Sequence, residues 1–238
     1  MENLEQARQW LAGATSLAVL TGAGISAESG IPTFRGTDGL WKDFKPEDLA
    51  TPEAFARDPR LVWEWYNWRR ELIKQAQPNP AHRALVKLEI KIARFTLITQ
   101  NVDGLHDLAG SGKILKLHGD IWRMRCTACG ANWPDRRAPL PKLPPHCACG
   151  GLARPGVVWF GEPLPEGMMK EAEHAAASAT VFLVIGTSAV VYPAAGLVPF
   201  AKHAGAKVIE INTEPSAVSG IVDCALQGPA GEILPQLL

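Results

Sequence analysis

Residues 18 to 39 read AVLTGAGISAESGIPTFRGTDG, and the glycine-rich continuation of the apolar run at their start decides the fold. Leu17, Ala18, Val19 and Leu20 form a short apolar segment of the kind that is buried on both faces of a parallel sheet. The run leads directly into Gly22-Ala23-Gly24, with Ala27 three residues on, which fits the Gly-x-Gly-x-x-Gly/Ala dinucleotide loop. Glycines at that point let the backbone approach a pyrophosphate. Free N–H groups at a following helix start, with Ser26 and Ser29 as caps, supply the positive end of a dipole. A tight strand-to-helix turn that binds nothing has the same letters.

A hydride-transferring enzyme adds a second strand soon after that helix, ending in an acid about 20 residues past the glycines that holds the ribose. Asp43, Glu47 and Asp48 stand at about that distance, but no strand-like run precedes them in GIPTFRGTDG. The half of the fingerprint expected of a dehydrogenase is missing.

Further apolar runs at Phe95 to Thr99, Val181 to Ile185 and Lys207 to Ile211 each lead into turn-forming residues, with long connections between them. This alternation predicts an α/β fold with a parallel sheet. Glu166 to Ala179 and Tyr192 to Ala206 read as crossover helices, and PAGEILPQLL as a short last one. The N-terminal MENLEQARQWLAGA reads as an amphipathic helix with Leu4, Trp10 and Leu11 on roughly one side.

Two segments break the alternation. Residues 36 to 92, rich in Trp, Arg, Glu and Pro, read as short helices; residues 122 to 153 hold most of the cysteines, five prolines and few strand-like runs. The expected architecture is therefore a Rossmann-like parallel sheet with helices on both faces, built from residues 1–35, 93–121 and 154–238. A helical insertion (36–92) and a zinc-binding insertion (122–153) together form a smaller domain.

With 238 residues, 47% of them hydrophobic, the chain can bury one full core. Twenty-four basic residues balance 24 acidic ones, so no global field draws the protein to nucleic acid or an anionic membrane, and an anionic partner must be met by a local site. The acidic N-terminus is unlike a signal peptide, and no apolar run approaches the roughly 18 residues of a membrane span, so a cytoplasmic location is expected. Cys126, Cys129, Cys147 and Cys149 fall within 24 residues, which in such a chain favours a metal over disulfides. Cys126-Thr127-Ala128-Cys129 is a two-thiolate knuckle; Cys147-Ala148-Cys149 is a tighter pair with His146 beside it as a substitute ligand. Four protein ligands make a structural zinc site, and a metal-free or disulfide loop is the other reading.

The run TGAGISAESGIPTFRG, residues 21 to 36, resembles the cofactor loop of the sirtuins, the NAD-dependent protein lysine deacylases. The resemblance continues in the family's order through TQNVDGLH (99–106), KLHG (116–119), RPGVVWFGE (154–162), GTS (186–188) and INTE (211–214). It implies cleavage of the nicotinamide–ribose bond of NAD, with transfer of the ADP-ribosyl group to the acyl oxygen of a modified lysine. The products are nicotinamide and 2'-O-acyl-ADP-ribose.

His118 in KLHG is then the general base, an imidazole able to take a proton from a ribose hydroxyl; a lone histidine after a strand is otherwise a structural hydrogen bonder. Asn101 joins it as catalytic. The resemblance assigns cofactor contacts to Gly22, Ala23, Gly24, Ser26, Glu28, Phe34 and Arg35 on the first loop, and to Gln100, Asn101 and Asp103 on the second. It adds Gly186, Thr187 and Ser188, then Asn212, Thr213 and Glu214, and finally Ala230 at the adenine. Polar residues at strand ends also serve as caps and turns. Val157, Val158, Trp159, Phe160 and Gly161 pair edge-on with an acylated peptide in the family's mode, or else form a plain internal strand. Cys224 reads as a small buried hydrophobe.

In LVWEWYNWRR (61–70), Tyr66 and Arg69 lie three apart and share a helical face. The ordinary reading is aromatics packed inward and an arginine reaching out. The pair also resembles the Tyr-x-x-Arg of the sirtuin class that removes negatively charged acyl groups, where it meets the distal carboxylate of succinyl- or malonyl-lysine. Thr33, where many sirtuins carry Asp, fits the same class. The expected activity is desuccinylation, with malonyl and acetyl groups also accepted. The competing readings are an ADP-ribosyltransferase, an NAD-dependent oxidoreductase and a zinc-stabilised peptide-binding protein.

Overall fold

The computed structural model describes residues 2–33 and 45–238. In chain order its helices are α1 (Glu2–Ala12), α2 (Pro46–Leu49), α3 (Pro52–Arg57), α4 (Pro59–Gln75), α5 (Pro80–Lys91), α6 (Leu105–Ala109), α7 (Met168–Ser178), α8 (Leu197–His203) and α9 (Ala230–Ile233). The strands are β1 (Ser16–Thr21), β2 (Arg94–Thr99), β3 (Ile114–Lys116), β4 (Gly119–Cys126), β5 (Asn132–Pro134), β6 (Ala153–Val157), β7 (Val181–Ile185), β8 (Lys207–Asn212) and β9 (Cys224–Gln227).

Six strands form a parallel sheet in the order β3-β2-β1-β7-β8-β9, with Leu17 opposite both Phe95 and Val181. Every residue of β1 and β7 is buried, which is why these strands read as unbroken apolar runs rather than alternating ones. On one face Leu17, Val19, Leu97, Leu183 and Ile209 pack with α1, α5 and α9; on the other Ala18, Leu20, Ile98, Phe182 and Val184 lie beneath α7 and α8. The expected Rossmann-like sheet is present, and it gains two edge strands, β3 and β9, that no apolar run announced. The winding direction reverses between β1 and β7, and at such a switch point the carboxyl ends of the strands leave a crevice for a ligand.

The rest of the chain departs from expectation in three respects. Residues 59–75 are one 17-residue helix rather than short pieces. Asp58 Oδ1 accepts the Leu61 N–H at 2.9 Å and Pro59 opens the first turn, so the start is well capped despite the bulky aromatics beyond it. Helix α5, expected in the small module, packs on the large sheet: Ala81, Leu85 and Leu88 join Leu17 and Phe95 in its core. The segment around the cysteines, in which few strand-like runs were expected, carries an antiparallel sheet ordered β5-β4-β6, with Cys126 opposite Ala153. Its core joins Met124 and Leu140 to Phe55, Trp63 and Tyr66 of α3 and α4. No helix among the described residues is long and apolar enough to cross a membrane.

Candidate active site

A cavity of about 850 Å³ opens over the carboxyl ends of β1, β2, β7 and β8, with α4 and the turn after β6 as its other wall. The glycines at the end of β1 have a reason that precedes any ligand. A Cβ on Gly22 would lie 2.7 Å from the Gly186 carbonyl oxygen, and one on Gly24 would lie 2.7 Å from Gly186 Cα. The loops after β1 and β7 therefore touch backbone to backbone, which only glycine permits. Gly22 N–H donates to Ile185 O at 3.0 Å, Gly24 N–H to Gly186 O at 2.8 Å and Ile25 N–H to Gly22 O at 3.2 Å. These three amides are thus committed inside the protein rather than free for an anion, a correction to the simple picture of a dinucleotide loop.

The next turn is a 3-10 helix, Ala23–Ser29, whose N-cap Gly22 makes no side-chain cap bond. Ser26 and Ser29 are therefore not caps. Ser26 Oγ donates to Asp103 Oδ2 at 2.9 Å, and Ser29 Oγ accepts from Asn79 Nδ2 at 3.1 Å. Glu28 turns away from the cavity and accepts the Gly231 N–H at 2.7 Å, tying the loop to the start of α9.

Of the other residues expected at the cofactor, Gly22, Ala23, Gly24, Gln100, Asn101, Gly186, Thr187, Ser188, Asn212, Thr213 and Glu214 line the cavity, as does His118. Ser26 and Asp103 line a small recess beside it, shared with Arg69 and Asn101. Ala230 is buried in the core that α9 makes with the sheet. Phe34 and Arg35 lie outside the described residues.

The polar side chains are held by one another. Gln100 Nε2 donates to Thr187 Oγ1 at 3.0 Å, Asn101 Nδ2 to Gly22 O at 3.0 Å, and Asn212 Nδ2 to Thr187 O at 3.0 Å, so side chains from the ends of β2 and β8 lock the loops together. His118 Nδ1 sits 3.0 Å from the Gln100 carbonyl oxygen. A carbonyl only accepts, so Nδ1 carries the proton and Nε2 keeps its lone pair. Burial lowers the His118 pKa, opposed by that bond, and the ring is a neutral base at and below the usual imidazole value. Burial likewise raises Asp103, against the bonds from Leu105 N–H and Ser26.

Beneath the site lies a second, purely internal pair: the His82 and His106 rings are 4.8 Å apart. His106 Nε2 meets Thr21 Oγ1 at 3.0 Å, and Thr21 in turn donates to Thr99. Burial first, then neighbouring positive charge, brings His82 to about 4 and His106 to about 3, so both are neutral structural histidines.

On the opposite wall, Tyr66 and Arg69 of α4 both line the cavity, and both are buried. The arginine does not reach out to solvent. Its guanidinium lies 4.8 Å from the centre of the Trp65 ring and 5.8 Å from that of Tyr66. Burial pushes Tyr66 up and Arg69 down from their usual values, the nearby guanidinium partly offsetting the first and Tyr66 the second. Val157, Val158, Trp159, Phe160 and Gly161 border the same space. The segment is a strand only to Val157; Val158 N–H then donates to His118 O at 2.9 Å and Phe160 N–H to Ala50 O at 3.0 Å. Trp65, Val102 and Tyr192 also line the cavity and were not anticipated. Trp65 and Val102 stand beside expected residues, whereas Tyr192, on the turn before α8, has no sequence signal.

Away from the cavity the sulfurs of Cys126, Cys129, Cys147 and Cys149 lie within 4.8 Å of one another, with 3.5 Å between Cys126 and Cys149 and 3.8 Å between Cys129 and Cys147. A tetrahedral four-thiolate zinc with Zn–S bonds near 2.3 Å has sulfur–sulfur edges of about 3.8 Å, so the donor set fits that ion. Cys126 Sγ also accepts the Ala128 and Cys129 N–H groups at 3.4 Å, which suits a thiolate. The two knuckles can approach because Gly151 leaves room between them: a Cβ there would stand 2.6 Å from Ala128 Cβ and 3.1 Å from Cys126 Sγ. The four sulfurs make up the donor set without His146, whose Nδ1 lies 3.2 Å from Pro144 O. Cys224 is buried, as expected of a small hydrophobe.

Comparison with known proteins gives this geometry its family. Residues 22–193 match the model of the Sir2 family. The chain is 56% identical to NAD-dependent protein deacylase 2 of Pyrobaculum aerophilum over 96% of its own length and 92% of that protein's. It is 54% identical to the NAD-dependent protein deacylase of Thermus thermophilus over 100% and 95% of the two chains. A solved Sir2 homologue–NAD complex superposes with a TM-score of 0.93 at 49% identity, covering 98% of this chain and 91% of the other. Sir2Af2 bound to a myristoylated histone peptide superposes at 0.80 with 35% identity, covering 99% and 94%. The chain belongs to the Sir2 family, the sirtuins, and is an NAD-dependent protein deacylase.

Proposed function

We propose that this deacylase removes acyl groups that end in a carboxylate, succinyl foremost, and that it also accepts malonyl- and acetyl-lysine in proteins or peptides. The observation that carries the reading is the burial of Tyr66 and Arg69 together on one wall of the cavity that His118 borders. A guanidinium and a phenol hydroxyl offer donors to a carboxylate, and their burial makes each such bond stronger than at a surface. An acyl chain ending in a methyl group offers them no acceptor.

The polar loops after β1, β2, β7 and β8 would hold NAD, with Asn101, Gln100 and Asp103 toward its nicotinamide end and Asn212 to Glu214 toward its adenosine end. NAD, consumed as co-substrate, supplies the ADP-ribosyl group that leaves with the acyl group. What this chain supplies is orientation, exclusion of water by the buried wall and a proton acceptor. His118 fills the last role: Nδ1–H is held by the Gln100 carbonyl, and Nε2 is free to take a hydroxyl proton. Cys126, Cys129, Cys147 and Cys149 would hold one structural zinc ion, whose four thiolates leave no position for substrate.

The test is mass spectrometry of the products formed from NAD and matched acetyl-, malonyl- and succinyl-lysine peptides. Free nicotinamide with 2'-O-succinyl-ADP-ribose, at higher kcat/KM than the acetyl counterpart, is expected. Turnover of the acetyl peptide alone would refute the carboxylate reading.

A further inference from the structure

Tyr66 does not stand alone in the cavity wall. Trp159 Nε1–H donates to its hydroxyl oxygen at 2.9 Å, and both rings are buried. An indole nitrogen donates and never accepts, so this contact has one polarity: the Tyr66 oxygen is the acceptor and its own proton points elsewhere. The indole is itself fixed. The Arg154 guanidinium lies 3.4 Å over its ring, a cation that draws electron density from the indole and strengthens its N–H as a donor. Arg154 is held in turn by two bonds to Glu162, at 2.5 and 2.8 Å, and a third to Val157 O at 2.9 Å. Glu162 also accepts the backbone N–H of Trp159 at 2.9 Å, so one carboxylate fixes both the cation and the ring beneath it.

We infer that Trp159 is a positioning residue for acyl selectivity: its N–H fixes the Tyr66 hydroxyl as a donor aimed into the cavity, toward the carboxylate of the acyl chain. The inference rests on the carboxylate reading proposed above. A tyrosine free to rotate about its C–O bond spends part of its time with the proton turned away. One whose oxygen is already bonded is prepared for an acceptor and ill suited to a donor. Burial raises the Tyr66 pKa, which keeps the proton on the oxygen at working pH. The same arrangement favours succinyl and malonyl chains over neutral acyl chains without any contact between Trp159 and the carboxylate.

The experiment compares Trp159→Phe, Tyr66→Phe and the double variant with wild type on succinyl- and acetyl-lysine peptides of one sequence, reading the ratio of the two kcat/KM values. That ratio cancels any general damage to the peptide-binding wall. Trp159→Phe, which keeps an aromatic ring but removes the N–H, is expected to lower the succinyl-to-acetyl ratio about five- to tenfold, the loss of roughly one neutral hydrogen bond. In the Tyr66→Phe background the same change should leave the ratio within about twofold. An unchanged ratio in Trp159→Phe, or an equal fall with and without the Tyr66 hydroxyl, would overturn the role of Trp159 alone. A wild-type enzyme that deacetylates but never desuccinylates would overturn the carboxylate reading and this inference with it.

Discussion

Replacing Arg69 with methionine is the sharpest perturbation of the acyl pocket, because it removes a charge and keeps most of the apolar stem. Arg69 is 6% exposed, and its guanidinium is stacked near Trp65, so little water screens what it touches. A bond from a charged donor in such a place contributes about 1.5–3 kcal/mol, and leaving the acyl carboxylate buried without its cation raises the loss to about 3–5 kcal/mol. At about 1.36 kcal/mol per factor of ten, the succinyl kcat/KM should fall by about two to four orders of magnitude relative to the acetyl kcat/KM. Most of it should appear in KM, since the carboxylate lies away from the reacting bond and contributes equally before and during reaction. The assay is release of nicotinamide from NAD with matched succinyl- and acetyl-peptides at fixed saturating NAD. A fall of about threefold or less in the ratio, or a parallel loss on both peptides, would refute the assignment of Arg69 to the acyl carboxylate.

Four further outcomes are expected from the same geometry. Substituting His118 by alanine should lower kcat on every acyl peptide by about 10²- to 10⁴-fold with little change in melting temperature. In wild type the acid limb of the kcat/KM profile should fall below about pH 6.5, because burial favours the neutral ring; a limb above about pH 7 would contradict that sign. The buried pair His82 and His106, at about 4 and about 3 in the folded protein, is protonated more readily in the unfolded chain, so stability is full above about pH 6.5 and is lost as pH falls. Between about pH 7 and pH 5 the two together should cost about 4 kcal/mol by urea denaturation, and a His82→Gln variant with an undiminished slope would count against this. Zinc analysis should find one ion per chain, and stripping it with a chelator should abolish cooperative melting of the small module; a metal-free protein with the same melting curve would overturn the zinc assignment.

The large sheet was legible in the sequence because its central strands are buried on both faces, which turns each into a continuous apolar run; β1, SLAVLT, is buried at all six positions. The edge strand β3 has three residues of intermediate burial and leaves no such trace. In β4 the signal was short: Trp122, Met124 and Cys126 are buried and Arg123 and Arg125 exposed, a period of two that spans only five residues before the cysteine knuckle and is broken on its other side by a register shift between Asp120 and Met124. The strand-end polar residues were legible for a topological reason, since an open α/β sheet delivers its loops to one edge. Ser26 and Glu28 were the hard cases. In sequence they look like ligands of a dinucleotide loop, yet their partners, Asp103 and Gly231, stand 77 and 203 residues away. No local pattern reports a contact of that range.

Helix α4 shows why the cysteine-bearing segment matters to the chemistry of the cavity. Trp63 Nε1 donates to Ala153 O at 2.7 Å, Asn67 Oδ1 accepts Leu140 N–H at 2.7 Å, Lys74 Nζ donates to Ala138 O at 2.9 Å, and the fully buried Arg70 bonds the Asp135 carbonyl. These four positions, spaced by three or four residues, form one stripe of the helix, and each partner is backbone of the segment that carries the cysteines. Tyr66 and Arg69 project from the neighbouring stripe into the cavity. A rotation of α4 by even a fraction of a turn would carry both side chains off the wall, so an acyl preference set by Tyr66 and Arg69 would depend on how rigidly the cysteine-bearing segment is held. A structural zinc held 57 to 80 residues along the chain from Arg69, counted to Cys126 and Cys149, would act on the acyl group through that stripe of hydrogen bonds.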